Sequence, residues 1–259
     1  MRIALFVVLF LLIQYHPVIA GRIVAATIDY CPYQCVPEKE EGKVGYVTEI
    51  LKVIYERAGY EITFQLTPYK RGVQGVERGE YDLIPNVNSG HSKKMIFSKR
   101  RNGVLRQNFY VRKGETWKYD GVESLQGITV GSVIGYDYSS FSPEYEAYLQ
   151  KYKNTPSVQY VGGAYGPMIN LKKILKGRIT TFNEDKYLFE YLAGKSGIKN
   201  EFELAGTLGE NMQYVGFAPG NSRSVRLAEI FDEGILQLRE SGELKRILTK
   251  YDLKDWECE

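Results

Sequence analysis

Apolar residues fall into one rhythm that the chain runs through twice. From Arg22 the segment Ile23-Val24-Ala25-Ala26-Thr27-Ile28 is almost continuously apolar and predicts a buried strand. A turn with cysteines and a proline follows, then a stretch rich in Glu and Lys. Val47, Ile50, Leu51, Ile54 and Ala58 then recur at helical spacing, and Gly59 supplies the stop. Tyr60 to Leu66 alternates as a half-buried strand should, Pro68 opens a short helix ending near Gly79, and Asp82-Leu83-Ile84-Pro85 predicts a third strand. Strand, helix, strand, helix, strand at this spacing implies right-handed crossovers and a parallel sheet.

The rhythm returns downstream. Ile128-Thr129-Val130-Gly131 predicts a strand, Pro143 to Tyr152 a helix, Ser157 to Val161 a strand and Met168 to Lys176 a helix. Gly177 to Phe182 closes this unit as Gly79 to Ile84 closes the first. After Phe217 come a long amphipathic helix, near Ser222 to Arg239, and a last helix from Glu243 to Tyr251. These need a sheet to cover and are assigned to the first unit. The expected architecture is therefore two doubly wound α/β lobes, lobe I from residues 21–103 and 214–259, lobe II from 104–213. Two chain crossings, near Arg100–Arg106 and Glu210–Gly216, would form a hinge. Parallel sheets bind ligands at the carboxyl ends of their strands, so two such edges facing across a hinge make a cleft, and function is expected between the lobes.

The N-terminus changes the cellular setting. Arg2 precedes the apolar run Ile3 to Ile13, too short for a membrane-spanning helix but suited to a signal peptide. Val18 and Ala20 fit the cleavage pattern, so residues 1–20 are read as an export signal and Gly21 as the mature start, without a lipidated cysteine after the cut. In an oxidising compartment Cys31 and Cys35 are free to pair, which would brace one local turn; Cys258 is left over. His91 is the only histidine after the cut, so a structural metal site lacks partners. A net charge of +3 with acids and bases interspersed argues against a nucleic-acid partner. The 21 tyrosines lean toward ligand binding, since each offers a flat apolar face and a hydroxyl.

The series GYVTEILKVIYERAGYEITFQLTPYKRGVQGVERGEYDLI, IFS, FYVRKGETWKY, LQGITVGSVIGYDY, NLKKILKGRITTFNED and SGELKRILTKYDL resembles the extracellular solute-binding proteins of family 3. These are exported receptors for polar amino acids in bacterial ABC transporters, and the likeness covers essentially all of the mature chain. It implies the two-lobed, flytrap-like fold of type II periplasmic binding proteins, closing over one small molecule.

The resemblance also nominates residues. The turn after the first strand places an aromatic ring against the ligand in this family; Tyr30 and Tyr33 occupy it, Tyr33 being preferred. Tyr69 and Arg71 match a cleft-facing aromatic and arginine, and a guanidinium would fork onto a carboxylate. Where relatives carry the arginine that holds an α-carboxylate, six residues before the phenylalanine of IFS, this chain has His91, which departs from an ordinary amino-acid site. Lys93 or Lys94 would be a substitute point charge, and Asn86, Asn88 and Ser89 supply polar groups at a strand end. The acidic residue that holds an α-ammonium group corresponds to Asp185, with Glu184 as a competitor; Asp185 also suits a helix N-cap. Tyr136, in Gly131 to Tyr138, would add an aromatic wall.

The expected protein is a monomeric periplasmic binding protein without cofactor or metal, which passes a small polar solute to an ABC permease in the inner membrane. Two alternatives stay open: an exported cyclohexadienyl or arogenate dehydratase-like enzyme of the same fold, and a sensing module that docks on a membrane signalling partner. No nucleophile, base and orienter set stands out for catalysis.

Overall fold

The computed structural model describes residues 21–257 apart from 89, 91 and 164. The expected export signal, Ser89, His91 and Cys258 thus lie outside the described residues. In chain order the elements of the first half are β1 (Gly21–Thr27), α1 (Tyr46–Arg57), β2 (Tyr60–Leu66), α2 (Tyr69–Glu77), β3 (Leu83–Val87), β4 (Ile96–Phe97) and β5 (Gly103–Arg112). There follow β6 (Val130–Val133), α3 (Pro143–Lys151), β7 (Val158–Val161), α4 (Gly166–Leu175), β8 (Thr181–Asp185), α5 (Lys186–Lys195), β9 (Phe202–Phe217), α6 (Ser222–Glu240) and α7 (Glu243–Thr249).

The repeated rhythm becomes a repeated topology. β1 lies between β2 and β3 and is parallel to both, and β6 lies between β7 and β8 in the same way. Each triplet is a pair of strand–helix–strand crossovers, as the alternating pattern predicts. The sheet as a whole is mixed rather than parallel. β9 runs antiparallel to β3, β5 antiparallel to β9, and β8 antiparallel to β5, giving the order β2-β1-β3-β9-β5-β8-β6-β7. The two crossing segments pair with each other, Gly103 opposite Gln213 through Arg106 opposite Glu210. One strand expected at Ile128 begins later, because Gly127 takes φ +77° and the Ile128 amide bonds back to Leu125, so the ladder starts at Val130.

Packing follows from the helical stripes. Val47, Ile50, Leu51 and Ile54 of α1 meet Leu227, Phe231, Ile235 and Leu238 of α6 and Leu244, Ile247 and Leu248 of α7 over Ile23, Val215 and Phe217 of the sheet. The last two helices therefore cover the first half, as expected. Full burial of each such side chain contributes about 1.5–3 kcal/mol before entropy is counted. In the second half Phe109, Val130, Tyr138 and Tyr145 pack on one sheet face, and Tyr110, Phe182 and Phe189 on the other.

One detail of this core positions the candidate site. α1 starts at Gly45 without a side-chain cap, and its first free amides, on Tyr46 and Val47, donate to the carbonyls of Pro32 and Tyr33 at 2.9 and 3.0 Å. The turn after β1 is thus seated on the N-terminus of α1. Gly45 sits at φ +90°, and a Cβ there would lie 2.5 Å from the Tyr33 carbonyl oxygen and 2.6 Å from Gln34 Cα, both backbone atoms that cannot rotate away. Gly45→Ala is expected to cost about 2 kcal/mol, the sum of left-handed strain and displacement of the turn. Urea unfolding would show it; a loss within 0.5 kcal/mol, roughly the level of a neutral surface change, would mean the turn is not so seated.

Candidate functional site

The site grows from β8. All five residues of Thr181-Phe182-Asn183-Glu184-Asp185 are buried, so the strand carries two adjacent carboxyl groups into the interior on opposite faces. Asp185 ends the strand and caps α5, its Oδ1 accepting from the amides of Tyr187 and Leu188 at 3.0 Å each. Its Oδ2 accepts from the Arg106 amide of β5 at 3.0 Å, and Oδ1 also accepts from the Tyr33 hydroxyl at 2.9 Å. Four donors thus converge on a side chain that is wholly buried. Glu184 is equally deep but less occupied: Oε1 accepts from the Asp185 amide at 2.8 Å and Oε2 from the Tyr136 hydroxyl at 3.2 Å.

Burial dominates the electrostatics of the pair. Loss of water pushes the Glu184 carboxyl up to about 8, helped by the charge of Asp185 and opposed by its two hydrogen bonds. The same cause lifts Asp185 to about 6 against the pull of its donors. Both acids are thus held above the ordinary carboxylate range, Glu184 the further of the two.

The other wall comes from the turn after β1. Cys31 and Cys35 are joined as a disulfide, the Tyr30 and Gln34 backbones pair, and the buried Gln34 side chain accepts from the Thr27 hydroxyl at 2.6 Å. This fixes Tyr33 between Tyr30, Tyr46 and Tyr187, with ring centroids 5.4, 5.3 and 6.1 Å away. Tyr30 is half-buried, and burial together with the charges of Glu184 and Asp185 raises its hydroxyl well above the ordinary value. A second contact joins the same halves: Glu40, after the turn, accepts from Lys195 Nζ of α5 at 2.6 Å and from the Tyr191 hydroxyl.

A model of the bacterial extracellular solute-binding proteins, family 3, matches residues 23–254. The chain belongs to that family. A comparison with curated proteins found no match. Among solved structures, a histidine kinase sensor domain described as similar to periplasmic binding proteins shares 17% identity with a TM-score of 0.69, over 91% of this chain and 97% of its own. A mutant of the arginine-binding protein ArgBP from T. maritima shares 18% at 0.66, covering 89% and 94%. A structure from work on glutathione import through GshT and the cystine ABC importer TcyBC of Streptococcus mutans shares 16% at 0.70, covering 89% and 94%. At these identities the likeness establishes the fold: two α/β lobes joined by two crossings.

In this family 3 protein the nominated residues separate into groups. Tyr30, Tyr33, Tyr136 and Asp185 come together with Glu184, from the end of β1 and the ends of β6 and β8. Tyr33 differs from the expectation of a ring presented to ligand, being wholly buried with its hydroxyl on Asp185. Tyr30, not Tyr33, is the ring left partly accessible. Tyr69 is half-buried against the cluster of Ala26, Val76, Ile84 and Val87, while Arg71 and Lys93 are exposed. Asn86, at φ +56°, accepts from Asn102 Nδ2 at 2.9 Å and leaves its own Nδ2 without a partner. Asn88 caps its own loop, accepting from the Gly90 amide at 2.7 Å.

Two polar residues escaped the sequence reading. Gln107 stands opposite Asp185 in the ladder, and its Oε1 is buried without a donor. Asn183 is wholly buried with neither amide atom partnered, and the Tyr138 hydroxyl donates to its carbonyl at 3.2 Å. Gln107 and Asn183 lie inside strands where polar side chains read as solvent-facing, so only the register reveals them.

Proposed function

We propose that this protein is an exported receptor that captures a small polar solute between lobe I, residues 21–103 and 214–259, and lobe II, residues 104–213, and delivers it to an ABC permease. It acts as a monomer in the periplasm after loss of residues 1–20. The carrying observation is the hydrogen bond from Tyr33, after β1, to Asp185, at the end of β8: residues 152 apart in sequence meet where strand ends of both halves converge. Tyr30 and Tyr136 flank the same junction, and Glu40 braces it through Lys195. The Tyr33–Asp185 and Glu40–Lys195 contacts join residues of the two lobes, so solute that favours the approached state shifts the population toward it. The closed form is what a permease would accept.

The test is a thermal-shift screen against amino acids, amines, organic acids, small peptides and prephenate, with every hit checked for chemical change. A concentration-dependent rise in Tm with the compound recovered unchanged supports capture. Conversion would replace the reading with catalysis, and no hit at millimolar concentration would remove solute capture. A sensing role is the second reading, favoured by the likeness to a histidine kinase sensor domain; it shares the cleft and differs in the membrane partner that docks.

A further inference from the structure

Resting on the solute-binding reading, we propose that the solute is a cationic amine without an α-carboxylate, held by Glu184 between the rings of Tyr30 and Tyr136. The argument begins with a seat that is already filled. A carboxylate offers about four lone-pair positions, and Asp185 meets four protein donors, three crowded on Oδ1 and one on Oδ2, so a ligand ammonium would compete with an established network there. Glu184 has two donors for the same capacity, and one of them is a tyrosine hydroxyl able to rotate its proton away.

The surroundings of Glu184 suit a cation. The Tyr136 hydroxyl donates to it directly, and the Tyr30 hydroxyl is raised by burial and by the charges of Glu184 and Asp185. Two electron-rich ring faces beside a carboxylate attract a desolvated ammonium or guanidinium group. Both features call for positive charge.

The basic side chains nominated for a carboxylate are exposed or engaged by acids. Arg71 and Lys93 are exposed, and Lys39 is bound to Asp29 at 2.7 Å. The Arg106 guanidinium is drawn to Glu210 on the neighbouring strand. Among the described residues the charged or titratable groups around Glu184 include Asp185 on its own strand, Tyr136 and Tyr138 after β6, Tyr30 after β1, and Arg106 and Tyr110 on β5. An amino acid would bring a carboxylate to two buried acids whose neighbouring guanidinium, Arg106, is engaged by Glu210, whereas an amine brings only the opposite charge.

Calorimetric titration with three matched pairs tests this: agmatine against arginine, cadaverine against lysine, tyramine against tyrosine. At least one amine is expected to bind at least tenfold more tightly than its amino acid. Titration of that amine in phosphate and in Tris at pH 7 should show release of close to one proton, because Glu184 must ionise to receive the cation. Glu184→Gln should weaken it at least tenfold while far-UV circular dichroism stays unchanged, and Glu184→Asp should recover part of the affinity. Tighter binding of every amino acid than of its amine, no binding by any of the three amines, or unchanged affinity in Glu184→Gln would each overturn the amine assignment. The first leaves solute capture standing; silence of the wider thermal-shift panel is what would remove capture itself.

Discussion

Asp185→Ala is expected to lower the unfolding free energy by about 4 kcal/mol, the cost of removing one member of a buried, charge-assisted network. Its carboxylate is the common acceptor for the amides of Arg106, Tyr187 and Leu188 and for the Tyr33 hydroxyl. Alanine leaves the three amides facing a buried site without that acceptor, while the Tyr33 hydroxyl keeps only the Val104 carbonyl at 3.1 Å. A loss of the helix N-cap alone would account for only about 1 kcal/mol, so the size of the effect separates a cap from a junction. Asp185→Asn should fall between, since its amide oxygen still caps α5 while its NH2 group faces the Arg106 donor. Urea unfolding followed by tyrosine and tryptophan fluorescence reads both variants. A cost of about 1 kcal/mol for Asp185→Ala, as for a simple cap, would mean that Tyr33 and Arg106 do not depend on it.

That network explains how much of the protein could be read in advance. The strands and helices of the two repeated units were legible because periodicity is a local property: Val47 to Ala58 announces α1 whatever it later packs against. β9 was not. Phe202-Glu203-Leu204-Ala205-Gly206 continues through Gly209, Glu210 and Asn211 with glycines and charges that read as loop, and its exposure does not alternate cleanly. It is a strand because β5 offers a partner over its whole length, which is a fact about a distant segment. The site divides in the same way. Asp185 was visible as a cap before Lys186 and as the family's acidic position, and Tyr30 and Tyr33 were visible as aromatics in a braced turn. That Tyr33 fills the seat on Asp185, leaving Glu184 as the less occupied acid, depends on the meeting of residues 152 apart. No spacing rule carries that information.

The second large effect is a fall in stability as pH rises from 5 to 8, on the order of 3 kcal/mol. Glu184 releases its proton near the ordinary value of 4.5 when unfolded but holds it to about 8 when folded. Between those limits the folded chain binds more protons than the unfolded one, so each step up in pH favours unfolding; below 4.5 and above 8 this group contributes no slope. Asp185 acts in the same direction over the narrower range from 3.8 to about 6. The steepest loss is therefore expected between about pH 5 and 6, where both groups contribute, with Glu184 carrying the remainder up to 8. Exposed ion pairs add little, since each is worth a few tenths of a kcal/mol to about 1 kcal/mol. Glu184→Gln isolates the cause: it keeps the shape and removes the ionisation, so its stability should be nearly level from pH 6 to 8 and should exceed the parent at pH 8. Urea midpoints for both proteins at pH 5, 6, 7 and 8 decide it. Parallel curves would show that Glu184 is already ionised in the folded protein, whereas curves that meet at low pH and separate toward pH 8 would locate the proton on Glu184. Because a bound cation would replace that proton, the separation should shrink when a tight amine is present, which joins the stability of the fold to the chemistry of its cleft.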